Sequence, residues 1–80
     1  MNYREVVVSA AQPLGLLRPE GELTRLDSFS VIQLVRAIER ATQLEIPIDE
    51  IKLQAFSSIE SIVALLEAVD GRRKDGPGGP

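Results

Sequence analysis

Residues 26–43, Leu26-Asp27-Ser28-Phe29-Ser30-Val31-Ile32-Gln33-Leu34-Val35-Arg36-Ala37-Ile38-Glu39-Arg40-Ala41-Thr42-Gln43, decide the fold. At 100° per residue, Val31, Leu34, Val35, Ile38 and Thr42 share one face, and Phe29, Ile32, Gln33, Arg36 and Arg40 fall on the opposite one. A single apolar stripe of this kind predicts an amphipathic helix from Ser28 to about Gln43 with its stripe turned to a core. Asp27, immediately before the stripe begins, is placed as its N-cap.

Working outward, two more segments carry the same period. Upstream, Tyr3 to about Gln12 has Val6, Val7, Ala10 and Ala11 on one side, with Asn2 and Glu5 spaced as a capping box. Pro13 disfavours the α conformation at Gln12, so that helix ends or kinks there. Between it and Ser28 runs a long connection, about Arg18 to Asp27, punctuated by Pro19 and Gly21, with Leu23 and Leu26 as its anchors. Downstream, Pro47 makes residues 44–47 irregular, and Asp49 to Leu53 is expected to form a single short helical turn. The last helix is expected to open at Ser57, with Glu60 completing a capping box, to line Ile59, Ile62, Val63, Leu66 and Val69 on one face, and to stop at Gly71. Few β-branched residues alternate with polar ones, so no sheet is expected. The fold class is all-α: a four-helix bundle with a long loop between the first two helices and a very short third helix.

Composition narrows the chemistry. Eighty residues make one small domain with little room for a deep cleft beside a core. There is no cysteine and no histidine, which removes disulfides, thiolate metal sites, an intrinsic thiol nucleophile and the commonest general base. Self-contained hydrolytic, redox or zinc catalysis is a poor fit, and the chain is expected not to be an enzyme. Residues 71–80 hold four of the six glycines, two of the five prolines and no hydrophobic side chain, so a folded domain over 1–70 and a disordered basic tail over 71–80 are expected. The net charge of −3 divides into +2 for that tail and −5 for the rest, which argues against nucleic acid as the partner of the folded part. No signal-like or membrane-spanning run is present, and a cytoplasmic monomer without membrane insertion is expected.

The chemistry-bearing signal is Leu26-Asp27-Ser28-Phe29, where the long connection meets the central helix. An Asp-Ser pair before a helix is also what ordinary capping looks like. Over residues 3–69, however, the order of helix, long loop, Asp-Ser, long helix, Ile46-Pro47, short turn and last helix resembles the acyl and peptidyl carrier protein family. The string IPIDEIKLQAFSSIESI (residues 46–62) is similar to the corresponding segment of D-alanyl carrier proteins, and so is the LDSF quartet.

The resemblance implies that Ser28 bears 4′-phosphopantetheine covalently and that Asp27 assists the modification by helping to bind the transferase's magnesium. It implies a stand-alone carrier that holds an acyl or aminoacyl group as a thioester on the arm. The implied partners are a phosphopantetheinyl transferase, an adenylating or acyl-transferring loading enzyme and downstream biosynthetic enzymes. Physical reasoning agrees with that placement: the first turn of a helix has N–H groups without intrahelical acceptors and a dipole that favours phosphate. The missing cysteine is then supplied from outside the chain.

Phe29, Ile32, Gln33 and Arg36 on the outer face, with Ile48 and Ile51 beyond Pro47, are the candidate partner-binding residues. Phe29 either stands out as part of this patch or folds back on the loop near Leu26. The sequence departs from fatty-acid carriers, which present a strongly acidic second helix. Here Ser30, Gln33, Arg36 and Arg40 stand beside only Asp27 and Glu39. The chain before Ser28 is also shorter than in D-alanyl carriers. The alternative function is a helical protein–protein interaction module without a prosthetic group, using the same Phe29–Ile32–Arg36 face.

Overall fold

The computed structural model describes the backbone of residues 2–75 and the side chains of residues 2–72. Three α-helices form the frame: α1 (Tyr3–Ala11), α2 (Ser28–Thr42) and α3 (Ile59–Asp75). Helix α1 packs on both α2 and α3. The expected apolar stripe of α2 is its buried face, residue for residue: Val31, Leu34, Val35, Ile38 and Thr42. These meet Val7 and Ala11 of α1 and Ile59, Ile62, Leu65, Leu66 and Val69 of α3 in one core.

Local chemistry explains most of the boundaries. Asn2 caps α1 by accepting a hydrogen bond from the Glu5 amide at 3.2 Å. Pro13 sits in a 3₁₀ turn (Gln12–Leu14) that extends α1, and Gly15 ends it with φ +71°. Helix α2 closes on Gln43, whose φ of 63° places it in the left-handed region. The carbonyl of Glu39 accepts the Gln43 amide at 2.7 Å.

The connection from Gly15 to Asp27 is tied down. Leu17 and Leu23 form an isolated antiparallel bridge, the Arg18 amide donates to Glu22 O at 2.7 Å, and the Thr24 amide donates to Leu16 O at 2.8 Å. Gly21, with φ +88°, makes the reversal that these bonds require. Leu16 and Leu23 are buried in the core and Leu26 packs half-buried against it. The last residues before Ser28 are thereby anchored on the bundle.

Three expectations are corrected. The place of the very short third helix is taken by two 3₁₀ turns, Ile48–Glu50 and Leu53–Phe56, so the frame has three α-helices rather than four. The backbone leaves the helical region at Ile51 (ψ 86°) and Lys52 (ψ 148°), which divides the segment into pieces too short for an α-helix. The last helix opens one residue later than expected. Ser58, not Ser57, caps it: the Ser61 amide donates to Ser58 Oγ at 3.0 Å and the Ser58 amide donates to Ser61 Oγ at 3.1 Å.

Gly71 is not a stop. It lies within α3 and is not among the positive-φ glycines, so it lacks the left-handed conformation of a C-terminal cap. The division at residue 70 therefore cuts a helix, and residues 71–75 are helical; residues 76–80 lie outside the described residues.

Candidate functional site

Asp27 is extended, with φ −95° and ψ 177°, and its side chain turns forward along α2. Its Oδ1 accepts the Ser30 amide at 2.8 Å, while its own carbonyl accepts the Val31 amide at 3.0 Å. The capping reading of Asp27 is therefore correct as local structure. The Ser30 amide, and after it the Ser30 hydroxyl, hold the Asp27 carboxyl below the ordinary aspartate value, so it is ionised at neutral pH.

Ser28 is the first residue of α2 and is exposed. The Ser30 and Val31 amides are used by Asp27, which leaves those of Ser28 and Phe29 without an intrahelical acceptor. A hydroxyl in solvent beside two free amides, at the positive end of a fifteen-residue helix, suits an esterified phosphate. Nothing of the core stands between this hydroxyl and solvent, so a phosphodiester there meets the amide-rich helix end without displacing packed side chains.

The residues of the outer face of α2 differ in exposure. Phe29 is 67 % exposed and Ile32 47 % exposed, so Phe29 stands out from the helix rather than folding onto the loop. Gln33 is half-buried and Arg36 exposed. Ile48 is 86 % exposed on the 3₁₀ turn beyond Pro47, whereas Ile51 is half-buried and packs partly on the core. The first four share one helix; Ile48 and Ile51 stand on a separate element.

Sequence reasoning missed Leu53, a further exposed apolar side chain, because it lies in a 3₁₀ turn with no helical repeat to place it. It also placed Arg72 in a disordered tail. Helix α3 carries that residue past Gly71, where its Nη2 meets Glu50 Oε1 at 3.2 Å. No group of acidic side chains that could hold a metal ion is assembled among the described residues. No helix among them is long and apolar enough to cross a membrane.

Residues 22–66 match the model of a family described as the phosphopantetheine attachment site. The matched span contains Asp27, Ser28, all of α2 and most of the core-facing half of α3. No curated protein and no solved structure matches the chain. More than half of the eighty residues lie inside the family match, and on that ground the chain belongs to the phosphopantetheine attachment family, whose members bear 4′-phosphopantetheine covalently.

Proposed function

We propose that Ser28 is the attachment residue and that the chain is a stand-alone carrier, not a catalyst, for acyl or aminoacyl groups. The observation that carries this is the exposed Ser28 hydroxyl at the first position of α2, inside the span that matches the family. When bound, the prosthetic group supplies the thiol that the chain lacks, on which a cargo rides as a thioester. The chain's own residues do the rest. The first-turn amides of Ser28 and Phe29 would be available to the ester phosphate, and the dipole of α2 would favour its charge. Asp27 keeps an ionised carboxylate next to the hydroxyl, available to the magnesium of the modifying transferase. The anchored Leu23 and Leu26 hold the loop so that the hydroxyl stays at the surface.

The partners are a phosphopantetheinyl transferase, a loading enzyme of the adenylating or acyl-transferring kind and downstream biosynthetic enzymes. Nucleic acid is not among them. Phe29, Ile32, Gln33 and Arg36 form the docking ridge, with Ile48 and Ile51 at its margin. The similarity of residues 46–62 to D-alanyl carriers supports an amino acid or small acid as cargo in a specialised pathway.

Incubation with coenzyme A, magnesium and a broad-specificity phosphopantetheinyl transferase, followed by intact-mass measurement, tests the assignment. Wild type and Ser30→Ala are expected to gain one phosphopantetheine, and a Ser28→Ala variant with an unchanged circular dichroism spectrum none. An unmodified wild type, or an arm on the Ser28→Ala variant, refutes it. The interaction-module alternative predicts instead that Ser28→Ala is without consequence while Phe29→Ala and Ile32→Ala abolish function.

A further inference from the structure

Residues 47–54 cross from α2 towards α3 with little to hold them. Six of the eight are exposed, and only Glu50 and Ile51 are half-buried. Their backbone hydrogen bonds are local: the Glu50 amide donates to Pro47 O at 2.9 Å, the Ile51 amide to Ile48 O at 3.1 Å and the Lys52 amide to Glu50 O at 3.1 Å. Among the described residues no backbone hydrogen bond joins this stretch to α1, α2 or α3. Its ends are fixed instead. Ile46 and Phe56 are buried in the core, Glu39 accepts the Ile46 amide, and the Ser61 hydroxyl donates to the Ala55 carbonyl. The stretch is a strap, pinned at both ends and loose between them.

Two contacts hold its middle. Ile51 packs partly on the core, and Glu50 Oε1 meets Arg72 Nη2 at 3.2 Å. Among the described residues that ion pair is the one polar side-chain tie between residues 47–54 and an α-helix. Its cationic member rides on a turn that frays easily. Gly71, directly before Arg72, lies inside α3, and a Cβ there would meet nothing within 4 Å, so no close approach requires a glycine. A glycine at an open helical position weakens the helix around it.

We propose that the last turn of α3 is a latch on this strap. While the turn is helical, Arg72 holds Glu50 and the strap lies closed with Ile51 on the core. When the turn frays at Gly71, or salt screens the pair, the strap lifts between Ile46 and Phe56. Ile48 and Leu53, its two exposed apolar side chains, keep a fixed place only in the closed state. The device is small by construction. An ion pair at the surface shifts an equilibrium about two- to fivefold. That suffices to bias the opening of a single loose segment and leaves the bundle folded. The latch goes beyond the carrier reading and needs neither Ser28 nor the arm.

Hydrogen exchange of the full ¹⁵N-labelled chain tests it at the Glu50 and Ile51 amides. Their bonds belong to a lone 3₁₀ turn, which does not persist off the bundle, so their protection reports closure. Arg72→Ala and Glu50→Ala are each expected to lower that protection about two- to fivefold and to leave the amides of α1 and α2 unchanged. The reversed pair E50R/R72E is expected to restore it. Added salt is expected to lower it in the wild type and not in Arg72→Ala. Gly71→Ala is expected to raise it in the wild type and not in the Arg72→Ala background. Arg4→Ala, which breaks the Arg4–Glu60 pair between α1 and α3, is expected to leave the strap as it was.

Equal protection of the strap in wild type and Arg72→Ala overturns the proposal. So does a loss spread evenly through α1 and α2, which is general destabilisation rather than local opening. A reversed pair no better than either single variant removes the ion pair as the cause. A gain from Gly71→Ala that survives without Arg72 removes the coupling between the helix end and the strap.

Discussion

Thr42 closes α2 from the inside. Its hydroxyl donates to Ile38 O at 2.8 Å and accepts the Leu44 amide at 3.2 Å, and the residue is 8 % exposed. Replacing Thr42 with Val keeps shape and β-branching but removes the hydroxyl. Ile38 O keeps its helical amide partner. The Leu44 N–H, on a buried residue, is left with no acceptor, at a cost of about 1–3 kcal/mol. The added methyl returns at most about 0.8 kcal/mol. The expected net loss is about 1–2 kcal/mol, which in a domain of this size lowers Tm by about 5–15 °C. Thr42→Ser keeps the acceptor and is expected to lose less. Thermal unfolding of both variants, together with hydrogen exchange at Leu44, measures the difference. The reasoning is refuted if Thr42→Val melts with the wild type and keeps its Leu44 amide protected, or if Thr42→Ser loses as much as Thr42→Val.

Gly71→Ala separates an interior glycine from a helix stop: its Cβ meets nothing within 4 Å and φ is not positive, so a gain of about 0.5 kcal/mol is expected. A lower Tm for this variant argues that Gly71 is left-handed after all. The Asp27 carboxyl, held low by the Ser30 amide, is expected to titrate below the ordinary value of about 3.9, as followed by the Ser30 amide chemical shift. Because the folded-state pKa is the depressed one, the stabilisation by this cap is fully present above the unfolded value and is lost as pH falls through the lower, folded one. Asp27→Asn is expected to remove that pH dependence, and a Ser30 amide that still titrates in the variant contradicts the assignment.

The parts of this molecule that were legible in its sequence are those whose causes are local. The stripe of α2 could be read because five core residues recur at the helical period, and the Asp27 cap because its acceptor lies three residues from its donor. The parts that were not legible depend on distant atoms. Ser57 and Ser58 are equally good caps on paper, each with a polar residue three positions on. The choice falls on Ser58, whose partner Ser61 is itself fixed by donating to the Ala55 carbonyl at 2.7 Å. Leu44, Ile46 and Phe56 are core residues in irregular segments, where no period announces them. Residues 43–56 are held to the bundle by buried side chains and by single bonds from elsewhere: Glu39 to the Ile46 amide and Arg72 to Glu50. The same division runs through the site. The capped start of α2 is encoded by neighbouring residues, Asp27 to Ser30, whereas its reading as an attachment site drew on the order of elements over residues 3–69. The groove at its other end is assembled from α2, the loop after it, α3 and Leu14 of the turn after α1, with Arg72 brought alongside by the continuation of α3 through Gly71. The capped start of α2 is in this sense a local property of the chain, whereas the groove at its far end is a property of the fold.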